Sequence, residues 1–160
     1  MIKHAVSPAG FEPEFVALLT ELMEEKIAFN RTIGLKVTSI RPEAVEGRID
    51  MKPELVGHYA YHRLHGGVVS AALDAMAGLA ILAAIGARHL DEPPLKRMER
   101  FAKLGTIDLR IDYLRPAIGE FFTLRAEVLR LGSRVASTRM SCHGPDGTLM
   151  STGAAAYIVS

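Results

Sequence analysis

The sequence has little of several things, and each shortage removes a class of protein. It has one cysteine, Cys142, so no internal disulfide framework can form and a reducing, cytoplasmic setting is expected. It has no excess of either charge: 19 Lys and Arg stand against 18 Asp and Glu, a formal net charge of +1. No local cluster of Lys and Arg compensates, so nucleic acid is not an expected partner. The opening residues, MIKHAVSPAGFEPEF, lack the apolar stretch of a secretory leader. Nothing in the first 34 residues reads as a DNA-binding helix-turn-helix, and there is no HExxH zinc signature anywhere.

Long apolar runs are also scarce, with one exception. Val68 to Ala87 is mostly apolar over 20 residues, long enough to suggest a membrane span. It contains Asp74, however, and is rich in Ala and Gly rather than bulky aliphatics. Aromatic anchors, Tyr59 and Tyr61, flank it on one side only. It reads as a helix enclosed by protein, with no membrane span.

What is present fits a soluble globular chain: 49% hydrophobic and 23% charged residues. Residues 1–160 are expected to form one domain, with 1–34 as an N-terminal helical extension. In that extension Phe15, Leu18, Leu19, Leu22 and Met23 repeat at helical spacing, and Thr32-Ile33-Gly34 ends the pattern. Phe15, Met23 and Phe29 read as core, some of them as candidates to line a channel. LKVTSI and AVEGRIDM read as strands around a turn at Arg41-Pro42-Glu43. A histidine-rich loop precedes a long apolar helix from about Gly67 to Gly86.

Residues 88–104 are polar, contain Pro93-Pro94, and read as an excursion with a short helix near Leu95 to Phe101. Period-two alternation then begins. Ile107, Leu109, Ile111 and Tyr113 alternate with charged residues, and Phe122, Leu124, Ala126 and Val128 do so in the next strand. RVASTRMSC and TLMSTGAAAYIVS follow, the latter expected to close the sheet. Turns at Pro116 to Gly119, Gly132-Ser133 and Gly144 to Gly147 predict an antiparallel meander. A sheet with one apolar face needs a cover, and the long helix is the element apolar enough to supply it. The fold class is therefore α+β, a curved antiparallel sheet wrapped around a long central helix, with an additional N-terminal helix.

The chemistry concentrates at the start of that helix. His65-Gly66-Gly67 is followed after six residues by Asp74, and the strand IDYLRPA lies downstream. Together with the helix-in-sheet pattern these motifs resemble the hotdog-fold acyl-CoA thioesterase superfamily, in its PaaI/YigI-like branch. The resemblance extends over most of the chain. It implies a hydrolase that converts acyl-CoA to free acid and coenzyme A without cofactor or metal. By the same resemblance Gly66 polarises the thioester carbonyl, Asp74 acts as base or nucleophile, and His65 is the motif histidine. Thr106 stands where relatives have a Ser or Thr near the attacking water. Where relatives usually carry Asn seven residues before the motif histidine, this chain has His58.

The residues lead to a similar place on physical grounds. Thioester hydrolysis develops an oxyanion, which needs fixed N–H donors. The first amides of a helix are unsatisfied and lie at the positive end of its dipole. Asp74 is the only acid in the apolar segment. Eight residues separate it from Gly66, about 12 Å along the helix and roughly 80° around it. One copy cannot easily bring both to one bond. Two copies with antiparallel helices can, and Gly67, Ser70, Ala71, Asp74, Ala77 and Gly78 form a stripe of mostly small residues for close approach. The expected unit is a homodimer with shared sites, which further pairing would make a homotetramer.

His58, Tyr59 and Gly67 are candidate substrate contacts, and Arg115, Ser133 and Arg134 are candidate partners for coenzyme A phosphates. Other readings stand beside these. Asp74 can be a structural acid held by a backbone amide or an arginine of the neighbouring chain. His58, His62 and His65 have ligand-like spacing but no supporting carboxylate, so no metal site is expected. Cys142 reads as an inert strand residue. At the level of the whole chain the alternatives are a hotdog enoyl or hydroxyacyl-thioester hydratase and a non-catalytic acyl-CoA sensor.

Overall fold

The structure, a computed structural model, describes residues 10–160. The expected absence of an apolar leader concerns residues that lie partly outside this range. Helix α1 (Pro13–Glu21) starts on a proline, whose missing N–H costs nothing in the first turn. The sequence pattern reads as one helix to residue 31, but the structure interrupts it. A π-helical turn, Leu22–Lys26, ends at Ile27 in extended conformation, and α2 (Ala28–Ile33) restarts beyond it. The break is satisfied locally. Ile27 N–H donates to Leu22 O, and the buried Asn30 side chain donates to Met23 O at 3.0 Å. Gly34, at φ 74°, terminates α2 in the left-handed region that glycine favours.

Strands β1 (Leu35–Ile40) and β2 (Val45–Asp50) follow as expected from the sequence. The histidine-rich stretch is more ordered than a loop. Short strands β3 (Val56–His58) and β4 (Arg63–Leu64) form a two-stranded ribbon around a 3₁₀ turn at Tyr59–Tyr61. Helix α3 (Gly66–Arg88) is the long central helix. The excursion contains α4 (Pro94–Met98) and a 3₁₀ turn, Glu99–Lys103. Strands β5 (Gly105–Tyr113), β6 (Phe121–Leu131), β7 (Val135–His143) and β8 (Leu149–Ile158) complete the chain.

The six long strands form one sheet in the order β1-β2-β6-β7-β8-β5, with every neighbouring pair antiparallel. This corrects the expected meander in one place. β6, β7 and β8 do follow one another, but β5 pairs with β8, and β8 is an inner strand rather than the closing one. The segment between β5 and β6 is therefore a crossover and not a hairpin. Its backbone is tied to other elements: Leu114 and Arg115 N–H donate to Met150 O, Leu64 N–H to Ala117 O, and Met51 N–H to Glu120 O. Those partners remove the need for a β5–β6 ladder.

β5 is thus an edge strand, and its alternation is imperfect. Ile107 sits where the register skips between Thr106 and Asp108, and it is 58% exposed. Leu109 and Ile111 are half-buried as expected, while Tyr113 is exposed. In β6 the predicted face holds, with Phe122, Leu124 and Ala126 buried.

Helix α3 packs against the concave face of the sheet through Leu73, Met76, Leu79 and Ile81, all fully enclosed. Burying such a side chain contributes about 1.5–3 kcal/mol relative to leaving it in water. The helix is long and apolar enough to cross a membrane by length and composition, yet these contacts make it the core helix. Two glycines permit the close approach. A Cβ on Gly47 of β2 would meet Met76 Sδ at 2.8 Å, and one on Gly86 would meet the Phe15 ring at 2.5 Å. The excursion is fastened to α1 by Arg97, which is buried, ion-paired with Glu12 and stacked 4.1 Å over Phe15.

Candidate active site

Asp74 faces outward from the middle of α3 and is half-buried rather than isolated in the core. Its Oδ1 accepts two hydroxyl hydrogen bonds, from Thr106 Oγ1 at 3.0 Å and from Tyr157 OH at 2.5 Å. The same phenol lies 2.8 Å from the Asp74 backbone carbonyl oxygen. Oδ2 has no hydrogen-bond partner among the described residues. Among the described residues of the one chain, no arginine or backbone amide holds this acid. Thr106 and Tyr157 reach it together because they are register partners on β5 and β8. Burial and the adjacent Asp74 raise the Tyr157 phenol well above its ordinary pKa, so it stays protonated and donates.

Beside Asp74 opens a cavity of about 350 Å³. Its walls are mostly apolar: Met23, Ile27 and Phe29 from the interrupted N-terminal helix, Leu79 and Leu82 from α3, and Phe101 and Leu104 from the excursion. The break at Ile27 turns both Ile27 and Phe29 towards this space. Of the three residues read as core, Phe15 is core, Met23 is buried core that also lines the cavity, and Phe29 is a lining residue 57% exposed.

The start of α3 is built differently. His65 caps the helix, its Nδ1 accepting from Gly67 N–H at 2.8 Å, while Val68 and Val69 N–H donate to His65 O. Gly66 N–H alone in this turn has no hydrogen-bond partner among the described residues. Gly67 is therefore committed to the cap, and Gly66 is the free donor. Tyr113 OH donates to Gly66 O at 2.6 Å, and a Cβ on Gly66 would come within 3.3 Å of that ring. Glycine at this position keeps the amide approachable.

Two grooves, of about 320 and 270 Å³, flank Gly66. One is lined by Arg63, Tyr113 and Arg115, the other by His58, Arg63 and His65. Arg115 also donates to Leu149 O. His58 stacks with Tyr59 and Tyr61 on the ribbon, and Tyr59 points into solvent. Among the described residues no three His, Cys, Asp or Glu side chains are placed to share a metal ion.

One chain does not assemble all the candidates. Gly66 and Asp74 lie on one continuous helix, about 12 Å apart along its axis. Arg115 is at the N-terminal end of α3, whereas Ser133 lines a cavity of about 600 Å³ at the C-terminal end, with Arg88, Lys96, Arg100 and Lys103. Arg134 is in the adjoining turn, where its carbonyl accepts from Val159 N–H. Cys142 is buried, and burial pushes its thiol up to about 12, which leaves it without a reactive thiolate.

Tyr157, Tyr113 and Arg63 escaped the sequence reading. The signal for Tyr157 is a tyrosine on the inward face of an otherwise small-residue strand, and its partner is decided only by the β5–β8 register.

Residues 61–151 match the family model described as Thioesterase superfamily. The chain is 36% identical over 144 residues to the medium/long-chain acyl-CoA thioesterase YigI of Escherichia coli K12, covering 89% of this chain and 92% of that one. Among solved structures, a Shewanella oneidensis protein related to the thioesterase superfamily superposes with a TM-score of 0.85 at 36% identity, covering 94% of this chain and all of that one. A Syntrophus aciditrophicus structure is similar at TM-score 0.80 and 33% identity, over 92% and 97% of the two chains.

Proposed function

Because the chain belongs to the thioesterase superfamily and is a hotdog-fold thioesterase, we propose that it hydrolyses acyl-CoA at sites shared between two protomers. The observation that carries this reading is a hydroxyl-held carboxylate at the mouth of an apolar cavity. The cavity suits an acyl tail. Asp74 and Leu82 are eight residues apart on α3, about 12 Å, a length for on the order of eight to ten carbons. The name of the Escherichia coli relative, a medium/long-chain acyl-CoA thioesterase, agrees with such a tail.

In this reading Asp74 of one protomer activates water, which attacks the thioester carbonyl. The oxyanion is held by Gly66 N–H of the other protomer, and collapse breaks the C–S bond to release the thiol. Direct attack by Asp74 gives the same products through an anhydride. Single turnover in ¹⁸O-water separates the two: activated water places the label in the product acid, whereas opening the anhydride at the Asp74 carbonyl leaves it on Asp74. Oxyanion-hole donors are typically worth about 2.7–4 kcal/mol each, so the free Gly66 amide is a large part of such a site.

A shared site is supported by the single-chain separation of Gly66 and Asp74 and by the open edge of β5. That edge is nine residues long and exposes Ile107 and Tyr113, which a second copy could cover. Arg63, Arg115 and His58 beside Gly66 would then face the coenzyme A portion, with Ser133 and Arg134 as more distant phosphate contacts.

Thiol release from a panel of acyl-CoAs of increasing length tests the reaction class. Liberated coenzyme A across medium and long chains is the expected result. Loss of enoyl absorbance without thiol release would establish a hydratase instead, and binding without turnover a sensor.

A further inference from the structure

We propose that Tyr157 is a positioning residue that, with Thr106, fixes Asp74 by its Oδ1 so that Oδ2 is the oxygen that acts on the substrate or water. The inference rests on the reading of Asp74 as the reacting carboxylate and adds which oxygen reacts and what holds it.

The two oxygens of Asp74 are in unequal surroundings. Oδ1 receives both hydroxyls, and Oδ2 receives none among the described residues. Tyr157 is the firmer of the two holders. The residue is 3% exposed, and its hydroxyl spans the carboxylate and the backbone carbonyl of Asp74. Contact with both atoms restricts rotation of the Asp74 side chain relative to its own helix. Thr106 is exposed, so water can replace its hydroxyl. The far less exposed phenol is the harder of the two to replace by water.

A phenol in this place stays neutral, for the reason given above, and acts as a fixed donor rather than a proton source. Within one chain the cavity beside Asp74 brings no competing charge. The lining around Asp74 from the N-terminal helices, α3, the excursion, β5 and β8 contains no Lys, Arg or His, and Tyr157 is its only other titratable group.

The test compares Tyr157→Phe, Thr106→Val and Asp74→Asn in the full chain, using decanoyl-CoA, with kcat, KM and the pH profile of kcat as readouts. Tyr157→Phe should lower kcat about tenfold with KM within about twofold. Its acid limb should move to higher pH, because a donor that favours the carboxylate is gone. Thr106→Val should show the same change to a smaller extent. Site-specific incorporation of 3-fluorotyrosine at position 157 keeps the packing and makes the phenol a stronger donor, so its acid limb should move to lower pH. If Tyr157→Phe does not fold, the fluorinated enzyme decides the matter alone. An inactive Asp74→Asn beside a folded Tyr157→Phe with wild-type kcat and acid limb overturns the inference, as does an unmoved limb in the fluorinated enzyme. An active Asp74→Asn overturns the reading of Asp74 itself, and with it the inference, so the two failures are told apart.

Discussion

Asp74 and Gly66 sit on the same helix but are held in opposite ways. The carboxylate is fixed by two hydroxyls from the sheet, with a cavity beside it. The amide is placed by the capped helix start and by Tyr113 on the Gly66 carbonyl, with its own N–H left free and two more polar grooves around it. A group that must take a proton or attack needs its orientation set, and side-chain donors do that. A group that must receive a developing charge needs an unused donor, and the first turn of a capped helix supplies one. In the mechanism proposed above, the two would be the halves of one reaction centre, contributed by different protomers.

The largest expected effect is on the carboxylate. Asp74→Asn keeps the shape and should lower kcat by about a thousandfold or more while leaving the fold intact, as circular dichroism would show. Turnover near wild type would remove Asp74 from the chemistry.

Gly66→Pro deletes the free N–H at a helical position that tolerates proline, and should cost about a hundred- to a thousandfold in kcat. Mixing it with Asp74→Asn sharpens the comparison. If each site draws one group from each protomer, mixed dimers contain one intact site. Co-expression of the two inactive chains should then restore about a quarter of wild-type activity, from random pairing of a two-fold dimer. No recovery in verified mixed dimers would place both groups of a site in one chain.

The cavity half is probed at Gly78, where a Cβ would stand at ordinary contact distance, 3.5 Å from Leu104. Gly78→Leu should therefore fill space rather than unfold the helix. Its expected effect is about a tenfold fall in kcat/KM for long acyl chains, with short chains nearly unaffected. Equal loss at every length would separate the cavity from the acyl tail. The groove half is probed by Arg115→Ala, for which a rise in KM of about three- to tenfold with unchanged kcat is expected. Smallest of all, dialysis against EDTA should leave hydrolysis unchanged.

Much of the arrangement was legible in the residues. The amphipathic face of α1, the apolar α3 and the period-two strands follow from spacing, because burial of one face imposes its period on the sequence. The motif around Gly66 and Asp74 was legible for the same reason: an acid in an apolar helix and glycines at its start are departures from pattern. Three features were not. The break at Ile27 depends on Asn30 reaching back to Met23 O, and helical periodicity does not report such a bond. The placement of β5 beside β8 goes with backbone ties made by the crossover, whose short span with Pro116 and Gly119 resembles a hairpin turn. The contact of Tyr157 with Asp74 was invisible because it comes from the register that sets Tyr157 beside Thr106.

By itself, then, the sequence determined the helix-in-sheet pattern and singled out the groups proposed here to react, since local spacing and composition encode a buried face and its exceptions. Only the tertiary structure decided what surrounds those groups: the phenol on Oδ1, the apolar cavity, and the open edge of β5. Those are contacts between residues far apart in the chain, and strand order and register, which no local pattern specifies, bring them together.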